Sequence, residues 1–250
     1  MKVMEQKTRT PIRIVPLHSD APAVAAPAHL TYRGGPLLAS PQVFLLFWGD
    51  AWQNEPQATM MGRLNDFFGF VLTSSLMDQL AEYDVPGYAI GHGTLSGAAV
   101  VPATPPATAT DADVQQLVRG QIASNPAVPQ PTASSLYFVY LAPGVTSKMG
   151  GSASCVNYCG YHDNADGLYY AVMPYPGCDG CVGGVSALDA LTSTSSHELC
   201  EAITDPQPSG TLGWYDDANG EIGDICAWKT KPLGGYVVQL EWSNAKGQCV

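Results

Sequence analysis

The amino-acid sequence predicts one α+β domain, close to the α/β class, in which a mixed β-sheet packs against helices. Two continuous apolar runs, at residues 43–49 and 135–141, have the length of strands that are buried on both faces. Apolar residues at spacings of three and four predict helices at residues 57–83 and 186–205. Because strands and helices alternate and no internal repeat is present, we expect a single core.

Residues 1–40 are rich in Pro and Ala and show no clear periodicity. They predict a flexible or loosely docked leader that precedes a single domain at residues 41–250. After the first strand and the long first helix of this domain, residues 88–101 predict a strand or a hairpin. Residues 102–110 then predict a linker, because Pro, Thr and Ala dominate them.

The second half of the chain begins with a helix at residues 111–124. Thr110 is placed to cap this helix, and Asp113 can return the capping bond. The segments that follow the strand at 135–141 are a loop at 146–166, an exposed-edge strand at 167–174, a tight turn at 177–184, the helix at 186–205 and a strand at 235–243.

Charged residues are scarce, and the acidic ones outnumber the basic ones. They make up 13% of the chain, against roughly 25% in an average soluble domain, and the net charge is −11. A nucleic-acid partner is excluded, because phosphate binding needs clustered Lys and Arg. No apolar run approaches the roughly 20 residues that span a bilayer, so no membrane span is predicted.

The cysteines indicate an extracellular protein. Cys200 stands alone, inside the helix at 186–205, where we expect it to face the core as a small hydrophobe. The other six are disulfide candidates: Cys155, Cys159, Cys178, Cys181, Cys226 and Cys249. Disulfides require an oxidising compartment, although residues 1–26 contain no apolar signal-peptide core. The alternative is a zinc site built from the first four of these six cysteines.

The helix at 186–205 carries the clearest chemical pattern. His197 and Glu201 are four residues apart, so they stand on one helix face and could hold one metal ion. Glu198, one step round, could hold a water molecule beside it. In the His-Glu-x-x-His zinc hydrolases the same arrangement supplies two ligands and a general base. Here Glu201 replaces the second histidine, which makes Ca²⁺ or Mn²⁺ a competitor of Zn²⁺.

A second acidic cluster, in the segment GWYDDANGEIGD, contains Glu221 and Asp224. Two acidic clusters near one another repel unless a cation or a proton lies between them, so Glu221 or Asp224 is expected as a third ligand. The alternative is a solvent-exposed turn rich in Asp, Asn and Gly. His162, in CGYHDN, is a candidate for stabilising an oxyanion, or else a hydrogen-bonded loop histidine.

Five segments occur in an order that resembles the EXORDIUM-like (phosphate-induced) family of plants and its bacterial relatives. They are VFLLFWGDAW, CVNYCGYHD, SSHELCEAITDP, GEIGDIC and VVQLEWSNAKGQC. The resemblance implies an exported protein with a zincin-like fold: a mixed sheet packed against a long helix and an active-site helix, with disulfide staples. His197, Glu198 and Glu201 match the metal motif of that family, HExxE where peptidases carry HExxH. The remaining matches are Glu221, Asp224 and Cys226 in the second motif and His162 after the cysteine pair.

The leading hypothesis is a zinc-dependent metallohydrolase, a monomer that cleaves peptide bonds in an extracellular or cell-wall substrate. Glu198 would be the general base and His162 a second catalytic residue. The metal ligands would come from His197, Glu201, Glu221 and Asp224. The alternative is a non-catalytic extracellular module in which these residues bind a structural cation or form a hydrogen-bond network. A carbohydrate-binding surface is a third hypothesis, suggested by Trp214, Tyr215, Trp228 and Trp242.

Overall fold

A computed structural model of the chain describes residues 14–20, 24 and 27–250. Within these residues the helices are α1 (Gln57–Val71), α2 (Ser75–Gln79), α3 (Asp111–Ser124), α4 (Asp179–Val182) and α5 (Ala187–Thr204). The strands are β1 (Ile14–Pro16), β2 (Thr31–Tyr32), β3 (Gln42–Trp48), β4 (Thr94–Val101), β5 (Thr108–Thr110), β6 (Ser135–Leu141), β7 (Thr146–Met149), β8 (Ser152–Ala153), β9 (Tyr158–Ala165), β10 (Leu168–Met173), β11 (Trp214–Tyr215), β12 (Thr230–Leu233), β13 (Tyr236–Gln239), β14 (Trp242–Ser243) and β15 (Gln248–Cys249).

The two apolar runs form the middle of a six-stranded sheet with the order β1-β9-β10-β6-β3-β4. Strands β10, β6, β3 and β4 run parallel to one another, whereas β9 is antiparallel to both β10 and β1. The sheet is therefore mixed, and the predicted α+β class is confirmed.

Both faces of this sheet are covered, as the continuous apolar runs predicted. Along β3 the side chains alternate between two clusters, with Phe44 and Leu46 in one and Leu45 and Phe47 in the other. Helices α1 and α5 supply apolar residues to the cluster that contains Leu45, and α3 supplies them to the opposite cluster. Helix α5 thus packs between the sheet and the other apolar residues of the cluster that contains Leu45.

The single long helix predicted at 57–83 is wrong, because the chain breaks it at Thr73 and Ser74. Helix α1 ends at Val71, and Ser74 caps α2 by accepting a hydrogen bond from Leu76 N at 3.3 Å. A serine hydroxyl competes for backbone groups in this way and favours a helix start over a helix interior. The predicted cap of α3 is confirmed, since Thr110 and Asp113 form a reciprocal capping box.

Strands β9 and β10 differ most from the prediction. Residues 146–166 were expected to be a loop, yet they contain β7, β8 and β9, and β9 is a strand of the main sheet. The strand expected at an exposed edge is β10, which lies inside the sheet and is buried throughout. A two-residue Asp166-Gly167 turn, with positive φ angles of 47° and 79°, joins the pair as a hairpin.

The smaller departures concern where strands begin and end. The strand or hairpin predicted at 88–101 is the single strand β4, and the predicted linker at 102–110 ends in β5. The strand predicted at 235–243 is divided into β13 and β14.

The described part of the predicted leader packs on the domain and is not loosely docked. Strand β1 extends the main sheet beside β9, and Val15 is completely buried. Leu30, Leu37 and Leu38 belong to the larger apolar cluster. Residues 1–13, 21–23 and 25–26 lie outside the described part of the chain.

Three disulfides confirm the interpretation of the six paired cysteines. They join Cys155 to Cys178, Cys159 to Cys181 and Cys226 to Cys249. The zinc site of four cysteines is therefore wrong, because all four sulfurs are bonded in pairs. Cys200 is buried and free, as expected. Among the helices of the described residues, none is both long and apolar enough to cross a membrane.

Replacing Cys226 and Cys249 together with Ser is expected to lower the free energy of unfolding by about 3 kcal/mol, because their cross-link restricts the unfolded chain. Denaturant titration of the oxidised proteins measures the difference. The matched control replaces Cys155 and Cys178, which close a span of the same 23 residues, and should lose a similar amount. A loss below about 1 kcal/mol in the first variant would contradict the expectation.

Candidate metal centre

Helix α5 is buried on all sides, which is unusual for a helix that carries several polar residues. Ser186 caps it by accepting a hydrogen bond from Asp189 N at 3.1 Å, and every residue from Ala190 to Thr204 is buried. His197 and Glu201, one turn apart, bring Nε2 and Oε1 to 2.9 Å from each other. The predicted shared face of these two residues is confirmed.

The small polar residues before His197 allow other elements to approach the helix closely. Ser195 shares a 2.7 Å hydrogen bond with the Tyr140 hydroxyl of β6, and Ser196 accepts one of 2.9 Å from Gln239 N of β13. Thr192 donates to the carbonyl of Val237 at 2.8 Å. The residues of low helix propensity at 192–196 thus pack α5 against β6 and β13.

His162 lies in the main sheet, on β9, and not in a loop as one interpretation held. It is only 1% exposed, and its Nδ1 donates a hydrogen bond of 3.0 Å to Glu198 Oε2. Its Nε2 lies 3.4 Å from Glu221 Oε1 and 3.1 Å from the carbonyl oxygen of Asp205. The imidazole therefore stands between α5 and the second acidic cluster.

The second acidic cluster folds against α5, so the exposed-turn interpretation is wrong for Glu221 and Asp224. Glu221 is 0% and Asp224 3% exposed. Asp224 N donates to Glu201 Oε1 at 3.1 Å, and Glu221 N donates to Asp224 Oδ2 at 3.1 Å. Asp217, in contrast, is exposed and pairs with Arg33. Of the acidic residues in the segment, Glu221 and Asp224 are therefore the two that face the ligands on the helix.

Two groups of three residues could each hold an ion, and Glu201 belongs to both. The groups are His197, Glu201 and Asp224, and His162, Glu201 and Glu221; within each group the ligand atoms lie within 4.8 Å of one another. The buried atoms here without a hydrogen-bond partner from the protein are His197 Nε2, Glu198 Oε1, Glu201 Oε2 and both carboxylate oxygens of Glu221.

Burying ionised carboxylates without hydrogen-bond partners lowers the stability of the fold unless a positive charge compensates them. Four carboxylates converge here, from Glu198, Glu201, Glu221 and Asp224. Among the described side chains, no Lys or Arg forms an ion pair with any of the four. A divalent cation fits the donor set, since carboxylate oxygens and imidazole nitrogens are the ligands that Zn²⁺ and Mn²⁺ bind.

Protonation provides the compensation when no ion is present. Burial raises the pKa of Glu198, Glu221 and Asp224, and it raises that of Asp205 to about 6. For the two histidines, burial lowers the pKa, but neighbouring carboxylates outweigh it and hold both pKa values well above 6.5. The dominant carboxylates are Glu221 for His162 and Glu201 for His197.

Gln239 and Gly223 surround the other edge of the His197 ring, and the sequence patterns indicated neither. The side-chain amide nitrogen of Gln239 lies 2.8 Å from His197 Nδ1 and donates to Gly223 O at 2.9 Å. In this orientation Nδ1 is the acceptor and Nε2 carries the proton. Turning the amide by 180° would present its oxygen to Nδ1 and select the tautomer that leaves Nε2 free for an ion, at the cost of the hydrogen bonds that the amide now forms with Gly223 O and Trp228 N.

Two further buried carboxylates border the centre. Asp205 accepts a hydrogen bond from Gly213 N at 2.9 Å, and its Oδ2 has no partner from the protein. Glu241, which is not among the site residues predicted from the sequence, is completely buried with neither oxygen bonded. Gln239 and Glu241 interrupt the apolar run at 235–243, and this is the feature of the sequence that marks them as buried polar residues.

The aromatic residues proposed as a carbohydrate surface do not form an open platform. Trp242 and Tyr215 are buried. The Trp214 indole nitrogen donates to Tyr83 O, and the half-buried Trp228 ring stacks on His18 with centroids 3.6 Å apart. Their faces are used by protein contacts, which leaves the carbohydrate hypothesis without a binding surface at these residues.

Comparison with models of known protein families finds no match for this chain, and comparison with curated proteins finds none either. The resemblance to the EXORDIUM-like family therefore stays a hypothesis.

Replacing Gly223 with Ala is expected to disturb the centre directly. A Cβ at this position would lie 2.8 Å from His197 Nδ1 and 2.9 Å from Glu201 Oε1, closer than real Cβ contacts allow. We expect metal affinity to fall at least about 10-fold, the loss typical when a group that orients a ligand is changed. Titration of the metal-free protein with Zn²⁺ measures it. Gly69→Ala, where a Cβ meets open space, is the control, and equal affinities would contradict the expectation.

Metal-free protein is expected to lose stability as pH rises from about 5 to about 8. Because the pKa values of the buried carboxyls and of both histidines are raised, the folded chain holds protons here that the unfolded chain has released. The free energy of unfolding then decreases with pH. If Zn²⁺ binds at this cluster, it would take the place of these protons, and its stabilising effect should then grow over the same range.

The measurement is the melting temperature with a chelator and with Zn²⁺, at pH about 5.5 and about 7.5. The difference between the two conditions should be larger at the higher pH. An equal or smaller difference there would show that these groups do not exchange protons for metal.

Proposed function

We propose that the buried cluster binds a divalent metal ion through His197, Glu201 and Asp224, and that the protein is a zincin-like metallohydrolase acting on peptide bonds. One observation carries the metal proposal. Ligand atoms of these three buried residues lie within 4.8 Å of one another, and His197 Nε2 has no hydrogen bond. Two ligands bound at about 2.1 Å to one tetrahedral ion are about 3.4 Å apart, so His197 Nε2 and Glu201 Oε1, now 2.9 Å apart, need only separate slightly to receive the ion.

Zn²⁺ is the proposed ion, with Mn²⁺ and Ca²⁺ as alternatives. The imidazole favours Zn²⁺ or Mn²⁺, whereas two carboxylates also suit the harder Ca²⁺. Compared with a site of three neutral imidazoles, the extra negative charge of Glu201 and Asp224 makes the ion a weaker Lewis acid. When bound, the ion would polarise a substrate carbonyl and make a nearby water more acidic.

Glu198 is the proposed general base. It follows the ligand His197 in the sequence, it is completely buried, and its Oε1 has no partner from the protein. Its other oxygen, Oε2, accepts the 3.0 Å hydrogen bond from His162 Nδ1, which fixes the direction of the carboxylate. Oε1 can therefore accept a proton from a water molecule and later deliver it to the leaving amine.

Complete burial favours a second candidate function, in which the same residues hold a structural cation in a non-catalytic extracellular module. The ligands are between 0% and 3% exposed, and a peptide bond cannot reach Glu198 unless the surrounding segments separate. A closed oxygen and nitrogen shell is typical of ions that stabilise a fold. Both candidates require the ion, and the three disulfides are consistent with an extracellular setting for either one.

The Glu198→Gln variant separates the two candidates. If the protein is a hydrolase, the variant should retain its metal content and lose peptide cleavage by about 10²-fold or more, because the proton acceptor is gone. Elemental analysis and a panel of fluorogenic peptides provide the two measurements. Asp217→Asn, an exposed position in the second acidic cluster, is the control and should change neither.

Two outcomes would alter the proposal. Peptide cleavage that survives in Glu198→Gln would remove this residue from the mechanism. Stoichiometric metal in a wild-type protein that cleaves none of the peptides, together with a large loss of stability on chelation, would favour the structural cation.

A further inference from the structure

Glu201 faces both histidines, one with each carboxylate oxygen. Its Oε1 lies 2.9 Å from His197 Nε2, and its Oε2, 3.6 Å from His162 Nδ1, has no hydrogen-bond partner from the protein. Glu201 also forms, with His162 and Glu221, a group whose ligand atoms lie within 4.8 Å of one another. A carboxylate placed between two groups of ligands in this way can bridge two ions. In two-metal sites of enzymes the ions are about 3.5–4 Å apart, a distance that a bridging carboxylate spans.

The group around His162 has its own donors, independent of His197. Glu221 is completely buried, and neither of its oxygens has a hydrogen-bond partner from the protein. Its Oε1 lies 3.4 Å from His162 Nε2, about the separation of two ligands on one tetrahedral ion. The carbonyl oxygen of Asp205, 3.1 Å from the same nitrogen, is a further oxygen donor at this position.

The hydrogen bonds of His162 show which of its nitrogens an ion would take. Nε2 donates to the carbonyl oxygen of Asp205 and Nδ1 to Glu198 Oε2, so an ion beside Glu221 would replace the proton on Nε2 while Nδ1 keeps its bond to Glu198. Histidine ligands commonly donate their other ring nitrogen to a carboxylate in this manner. Glu198 thus holds His162 in the tautomer that a metal ion requires.

The charges favour two ions over one. Glu198, Glu201, Glu221 and Asp224 carry four negative charges when ionised, and one divalent ion balances only two of them. A single ion at His197 would also leave both oxygens of Glu221 buried without a partner, which is costly. Two divalent ions beside two neutral imidazoles balance all four carboxylates.

We propose that the centre is dinuclear: one divalent ion bound by His197, Glu201 and Asp224, a second bound by His162, Glu221 and the Asp205 carbonyl, and Glu201 bridging them. This inference rests on the proposed metal binding and extends it. It gives His162 the role of a ligand in the second position, in place of the oxyanion contact considered from the sequence.

The test counts ions in the full chain with its disulfides intact. Protein that has been stripped with a chelator is dialysed against Mn²⁺ or Zn²⁺, and the metal is measured by mass spectrometry. We expect two ions per chain. Glu221→Gln and Asp224→Asn should each retain one, because each change removes a ligand from a different position while keeping its size.

The control is Glu241→Gln, another completely buried carboxylate without hydrogen bonds that belongs to neither group of ligands. This variant should retain two ions. A readout that needs no variant is the electron paramagnetic resonance spectrum of the Mn²⁺ protein, in which two bridged ions give an exchange-coupled signal. Separate six-line signals of isolated Mn²⁺ would contradict the bridge.

The possible counts distinguish the two proposals. One ion per wild-type chain, whichever variant abolishes it, would overturn the dinuclear centre and leave the proposed metal binding intact. No bound ion would overturn both, and the carboxylates and imidazoles would then form a protonated hydrogen-bond network.

Discussion

The structure depends on how the negative charge of its buried acidic groups is balanced. Four carboxylates and two imidazoles lie together with at most 3% of each residue exposed, and no described Lys or Arg pairs with those carboxylates. Charges in such an environment interact strongly and must be balanced by protons or by a cation. Under the proposed metal binding, pH and metal concentration would decide whether the same residues hold protons or an ion.

Disulfides lie close to β9, to α5 and to the second acidic cluster, the three parts of the chain that form the centre. Cys159 lies in β9, three residues before His162, and its partner Cys181 belongs to α4, directly before α5. Cys226 follows Asp224 by two residues and is tied to Cys249 near the chain end. The Cys159–Cys181 bond thus joins β9 to the segment before α5, and the Cys226–Cys249 bond anchors the second acidic cluster to β15, in a fold whose larger apolar cluster packs against α5.

Burial also limits the access of a substrate to the centre. The pair formed by Glu198 and His162 has the direction and the unpartnered oxygen that a general base needs, while the surrounding segments leave no exposed ligand. A hydrolase built on this centre must open before its substrate can enter, and a structural site need not open. This difference in access separates the two functions more sharply than any difference in the ligands.

The sequence by itself determined the buried strands β3 and β6, the capped helices α3 and α5 and the pairing of His197 with Glu201, because these depend on local periodicity and spacing. It did not reveal that His162 lies in a sheet strand, because the Gly, Ser and Asn residues at 146–166 favour a loop and only the Asp166-Gly167 turn marks the hairpin. Nor could spacing assign Glu221 and Asp224 to different histidines or bring Gln239 to the His197 ring. Those contacts join residues far apart in the chain, and only the packing of β9, β13 and the second acidic cluster around one buried helix decides them.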